Sequence, residues 1–167
     1  TANWLTLSST SGTLAAGVST NITASINGNA NSLAANTYSD TVGFTNTSNG
    51  AGNTTRAVSL TVNPPPAQLA VGPLSGFSSS GDVGGLFSPA SQIYSLTNVG
   101  GTTLSWTASI TANWLTLSVT NGTLEAGATT NVTVSVNANA SSLAANTYSD
   151  AVSFTNMSNG AGNATDT

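Results

Sequence analysis

The side chains able to do chemistry in this 167-residue chain are few: Asp40, Asp82, Glu125, Asp150 and Asp166 are its only acids, and Arg56 is its only base. Lys, His and Cys do not occur. Their absence excludes a histidine general base, a thiolate nucleophile, a disulfide and a zinc site of the usual ligands. Two carboxylates can hydrolyse a glycoside, but these acids are scattered, and only Asp40 and Asp150 recur in matching surroundings, in the tetrapeptide TYSD. A calcium ion wants roughly six to eight oxygen ligands, and no acidic cluster accompanies either residue. No catalytic residue, metal or cofactor is therefore expected. The other chemistry-bearing side chains are the three tryptophans, Trp4, Trp106 and Trp114, whose ring faces could stack on a sugar.

Charged residues make up 4% of the chain, against roughly a quarter in ordinary soluble domains. One cation cannot track a phosphate backbone or an anionic membrane, so nucleic acid is not an expected partner. No apolar run approaches the ~20 residues of a membrane span, so no membrane insertion is expected. The chain has 28 Thr, 25 Ser and 20 Asn, which dictates a surface of hydroxyls and amides. With 38% hydrophobic residues and frequent Val, Ile and Thr, the composition is that of folded β-structure rather than disorder.

The elements that must carry these residues are legible from an internal repeat. Residues 1–57 recur at 111–167 with 41 of 57 positions identical and no gap. SLAANTYSD at 32–40 returns unchanged at 142–150. Where the copies differ, the exchanges respect packing. Ile22, Ala24 and Ile26 become Val132, Val134 and Val136, while the alternate positions Thr23, Ser25 and Asn27 stay polar. That is the period of a half-buried strand.

Strands are expected at 67–72, 91–98, 103–110, 114–119, 130–137 and 147–156, with a single helical turn near Ser141–Ala145. Gly100-Gly101, Asn121-Gly122 and Asn159-Gly160 supply turns. Short, regularly spaced strands indicate an all-β fold of tandem immunoglobulin-like antiparallel β-sandwiches. Tyr38 and Tyr148, each near the start of a strand, fit a structural tyrosine corner.

Pro64-Pro65-Pro66 forms a stiff linker. Residues 1–63 are the C-terminal part of one unit, with nothing matching Gln68–Ile110. Residues 67–167 are a second unit, expected to stop just before its last strand, as in a window cut from a longer array. The chain begins with Thr1, without a charged start and an apolar stretch, so a signal peptide is expected to be removed or to lie outside these residues.

Ser88–Trp106, Asn113–Gly127, Asn131–Asn137, Ser142–Asn156 and Asn53–Asn63 together resemble the BACON-like, immunoglobulin-type repeats of large secreted bacterial proteins. The resemblance implies an all-β module, often in tandem or attached to enzymes, with no catalytic motif. It also raises carbohydrate or mucin binding beside a spacer role.

Three functions are open at this point. The first is a non-catalytic structural module in an extracellular or cell-surface array of bacterial origin, partnered by neighbouring copies of the repeat. The second is a carbohydrate-binding module, its polysaccharide held by exposed Trp4 and Trp114. The third is a filament subunit completed by a neighbour's strand, with the strand ending at Asn156 as an unpaired edge. Trp106, sharing a face with Leu104 and Ala108, is expected in the core. Asp40 and Asp150 are expected to accept backbone N–H bonds. GDVGG at 81–85 lacks the following Lys of a phosphate loop and reads as a surface loop. Eight Asn-x-Ser/Thr sequons mark possible glycosylation at Asn21, Asn46, Asn53, Asn121, Asn131, Asn139, Asn156 and Asn163.

Overall fold

A computed structural model describes all 167 residues. The chain divides into two compact units, Thr1–Pro64 and Pro65–Thr167, and in both the regular structure is β apart from one short 3-10 turn each. Unit 1 holds β1 (Leu5–Leu7), β2 (Ala24–Ile26), β3 (Asn36–Phe44) and β4 (Thr54–Val62). They form two antiparallel pairs, β1 with β2 and β3 with β4.

Unit 2 holds β5 (Leu69–Gly72), β6 (Ser91–Asn98), β7 (Leu104–Ser109), β8 (Leu115–Leu117), β9 (Asn121–Leu124), β10 (Thr129–Val136), β11 (Val152–Asn156) and β12 (Ala164–Asp166). They form two four-stranded antiparallel sheets, ordered β5-β6-β10-β8 and β12-β11-β7-β9. The first sheet sends Leu69, Tyr94, Leu96, Leu115, Val132 and Val134 into the core; the second sends Leu104, Trp106, Ala108, Leu124, Val152 and Phe154. Each set follows the alternation written in the sequence. Tyr94 and Phe154 meet at its centre, with ring centroids 5.2 Å apart and tilted by 49°, a favourable aromatic geometry. Trp106 is buried here as expected, and its ring lies so close to Gly122 that a Cβ there would meet it at 3.0 Å.

Two copies of almost the same sequence thus adopt different amounts of structure. The segment that forms β10 over Thr129–Val136 between β6 and β8 forms only Ala24–Ile26 in unit 1, where no counterpart of β6 exists. Asn121–Leu124, missing from the expected strands, becomes β9 by pairing with β7, whereas its counterpart 11–14 in unit 1 is not a strand. The strand expected over 147–156 is ordered only from Val152, although its counterpart β3 begins at Asn36. Ala164–Asp166, the counterpart of Thr54–Arg56 at the start of β4, forms the short strand β12 against β11. The strand ending at Asn156 is accordingly not an edge, since β11 has β12 on one side and β7 on the other. The helical turn falls at Ala138–Ser142, slightly earlier than expected. Asn137 caps it by accepting the Asn139 N–H at 2.9 Å, as Asn27 does for Asn29.

The loops of unit 2 are stitched by amides. Asn98, fully buried, donates to the Thr102 and Leu124 carbonyls and accepts the Gly100 and Gln68 N–H groups. The entry of the chain into β5 is tied to two loops, β6–β7 and β11–β12. Gly101 N–H donates to Pro65 O, Val99 N–H to Gln68 O, and Leu69 N–H to Ala161 O, while the Asn159 amide donates to Ala67 O. The approach is close enough that a Cβ on Gly162 would overlap the Leu69 carbonyl, and Gly162 has φ +80.

Phe154 is 1% exposed, whereas Phe44, its counterpart, is 40% exposed. Phe154→Ala should therefore destabilise unit 2 by about 3–5 kcal/mol, and Phe44→Ala should cost unit 1 roughly 1 kcal/mol or less for a half-exposed ring. Denaturant unfolding of the two variants measures the contrast, and equal effects would contradict the burial difference.

Candidate functional site

Asp40 and Asp150 perform the structural task expected of them. The Asp150 carboxylate accepts the N–H groups of Thr111 at 2.9 Å and Ala112 at 2.7 Å, together with the Thr111 hydroxyl. It thereby pins the start of the segment that carries Trp114. Asp40 holds Ala2 in the same way ahead of Trp4. Partial burial pushes the Asp150 carboxyl up, but the hydrogen bonds from Thr111, Ala112 and Ala151 outweigh it and hold its pKa below the ordinary value. The N–H groups of Ala2 and Thr41 lower that of Asp40. Asp166, whose counterpart in unit 1 is Arg56, accepts the Tyr94 hydroxyl at 2.6 Å. Burial, then this bond to a carboxylate, raises the Tyr94 pKa well above the usual phenol range.

The two tryptophans proposed for sugar stacking are not equivalent. Trp4 is 3% exposed, so its ring presents no face to a ligand, which corrects the expectation of an exposed pair. It belongs to a cluster with Leu5 and Val42, against which Tyr38, Val58 and Leu60 pack. Val58 and Leu60 come from β4, so β4 closes this cluster. In unit 2, where Asp166 and Thr167 occupy the positions of Arg56 and Ala57, Trp114 is only half-buried. It lines a groove of roughly 110 Å³ with Phe77, Tyr94, Tyr148, Val152 and Asp166. Tyr38 and Tyr148 both make the corner bond to the carbonyl four residues back, Ala34 at 2.9 Å and Ala144 at 3.2 Å, and Tyr148 remains 41% exposed.

This groove was missed from sequence; in unit 1 the identical SLAANTYSD pairs along β4. A larger depression of about 390 Å³, lined by Gly84, Leu86, Phe87, Val136 and Ser141 among others, lies beside the GDVGG loop.

The sequons also divide. Asn21, Asn53, Asn121, Asn131 and Asn163 are exposed. Asn46 and Asn139 are exposed but use their amide N–H groups, Asn46 towards Asn49 and Ala51 and Asn139 towards Asn113. Asn156 is 2% exposed, and its amide donates to Asn159 Oδ1 and the Ala161 carbonyl. A glycan on its nitrogen would remove a donor and require space the fold does not have, so Asn156 is withdrawn as a site in the folded protein.

Residues 83–164 match the family described as Viral BACON domain. Over these residues the second unit is similar to a BACON domain. The match spans β6 to the start of β12 and takes in most of the core, the Asp150 clamp and the capped 3-10 turn of this BACON-like unit, with Ala67 and Leu69 of the core preceding it. Its description is viral, whereas the sequence resemblance pointed to bacterial repeats. No curated protein matches the chain.

The titrating groups fix a pH window. Lowered carboxyl pKa values give stability that is present above about pH 4 and lost as pH falls through the folded-state values. A raised tyrosine pKa gives stability present below about pH 10 and lost above it. Thermal unfolding midpoints of the BACON-like unit should be flat from about pH 5 to 9, and a steep slope inside that window would count against this assignment. If the protein is expressed in a host that N-glycosylates, peptide mapping by mass spectrometry should find Asn156 unmodified even where Asn121, Asn131 or Asn163 is occupied.

Proposed function

We propose that the chain is a non-catalytic structural module, its β-sandwich repeats extending a secreted or cell-surface protein or fibre. The observation that carries this reading is the work done by what the two copies share. Asp40 and Asp150 clamp the segments before their tryptophans. Asn27 and Asn137 cap the 3-10 turns. Asn46 and Asn156 organise the hairpin tips, and the two tyrosines make corners. Each of these shared polar side chains holds backbone in place. The match of unit 2 to a BACON domain supports the same reading. A surface with so few charges is insensitive to salt, since little on it can be screened, which suits exposure to a variable exterior. An extracellular position is part of the proposal, and labelling of intact particles or cells with an antibody to the folded domain tests it.

Carbohydrate binding keeps one residue of its expected pair. Trp114 and Tyr148 are accessible in the groove, which is small at roughly 110 Å³. The wild-type chain should show no retention on a glycan array. Binding that disappears in Trp114→Ala would replace the structural reading by that of a carbohydrate-binding module.

A further inference from the structure

The two most exposed large apolar side chains of the protein, Leu86 at 96% and Leu74 at 93%, lie in one connection, that between β5 and β6, together with Val83 at 67%. Apolar side chains scattered singly over a surface need no explanation, whereas several on one loop mark a contact. The tip that carries Val83 and Leu86 is not slack. Ser80 and Ser88 exchange both backbone bonds across its base, at 3.1 and 2.8 Å, and the Gly85 N–H closes its turn on the Asp82 carbonyl at 2.9 Å. Gly84 takes φ +74 in that turn, and Gly81 lies so close to the Leu86 carbonyl that a Cβ there would overlap it. The fold therefore holds Leu86 out in solvent.

Beside the tip is the depression of about 390 Å³, with Leu86 in its wall and Phe87, Ala90, Val136 and Ala138 among its lining. Its two polar side chains, Asn137 and Ser141, are committed to the fold's own backbone. The Asn137 amide donates to the Asn113 and Leu115 carbonyls and accepts the Asn139 N–H, and the Ser141 hydroxyl donates to the Ala138 carbonyl. A site for a sugar or an ion needs polar groups left over to orient it. This depression instead suits an apolar side chain.

We infer that this face is a contact between two copies of the chain, in which Leu86 of each copy enters the depression of the other. The occupant is a second copy because the projecting side chain and the depression lie side by side on one surface. A twofold axis between them satisfies both at once, as an isologous contact requires. Burial of Leu86 drives the association, and the braced tip keeps the cost of ordering small. Asp82 is the only charge in the connection, so like charges oppose the pairing little. An interface built on one loop is small, and its dimer is transient rather than obligate. In an array of structural modules it would tie neighbouring chains side by side.

Light scattering on the whole chain over a concentration series tests this. The mass should rise towards that of a dimer with a Kd below about 1 mM. Leu86→Ser should weaken the dimer at least tenfold, on the order of 1.4 kcal/mol. Because Leu86 is exposed in the single chain, the thermal midpoint of this variant in dilute solution should equal that of the wild type. A second measurement reads the geometry directly, since the chain has no cysteine of its own and Ala138 is exposed. Chains carrying Leu86→Cys and chains carrying Ala138→Cys, mixed under a mild oxidant, should give the crossed disulfide in excess over a random mixture of pairs. A wild-type chain that stays monomeric up to about 1 mM overturns the inference. A Leu86→Ser chain that associates as tightly as the wild type, or a random distribution of disulfides, also overturns it, since the interface would then lie elsewhere.

Discussion

A β-strand exists in this protein only where a neighbour completes its hydrogen-bond ladder, and most other features follow from that constraint. The backbone carries its polar groups whatever the side chains are, and an extended segment without a partner must leave them to water. The internal repeat makes the point without a second molecule. Segments with nearly the same side chains form eight residues of strand at β10 and three at β2, nine at β3 and five at β11. What differs is the neighbouring chain. β10 lies between β6 and β8, and β3 runs along the whole of β4. Burial follows pairing, so Val132 and Val134 are core residues while their counterparts Ile22 and Ala24 are not.

The shortage of charge sets how the loops are held. With Arg56 as the only cationic side chain, the acids and amides are satisfied mostly by backbone groups and hydroxyls. Asp150 gathers N–H groups from Thr111 and Ala112, and Asn98 and Asn156 satisfy buried carbonyls and N–H groups within their own turns. Such bonds are short-range and directional, and each leaves a costly unsatisfied group if one partner is removed. Stability is therefore distributed over many neutral contacts, and the pH dependence is confined to the acid and alkaline ends of the scale.

The fold was largely legible in the sequence, and the candidate site was only partly so. Alternation at Leu104, Trp106 and Ala108, and at Val132 and Val134, identified core strands because their side-chain pattern and their partners agree. The roles of Asp40, Asp150, Tyr38 and Tyr148 were legible because a short polar side chain next to a strand end has few groups within reach. Trp4 and Trp114 were treated as equals because their local sequences match. Trp4 is covered by Val58 and Leu60, more than fifty residues away from it in the chain, which its local sequence does not announce. β9 was passed over because Asn121-Gly122 reads as a turn, yet β7 offers it a ladder and Gly122 is the residue that fits over the Trp106 ring. Asn156 was read as a sequon because its three-residue motif says nothing about the Asn159 and Ala161 partners that bury it.

The ties at the start of β5 have a mechanical consequence. Tension transmitted through Pro64-Pro65-Pro66 would reach unit 2 at Pro65, and there the backbone and side-chain bonds to Gly101, Val99, Asn159 and Ala161 would spread it over two loops within five residues of chain. Bonds loaded together share a force that would break them singly in sequence. The Gly162 turn, which lets the last hairpin press onto Leu69, joins the C-terminal end of the unit to its entry point. Under such a load the tip of that hairpin would act as a strain relief, like the collar where a cable enters its housing.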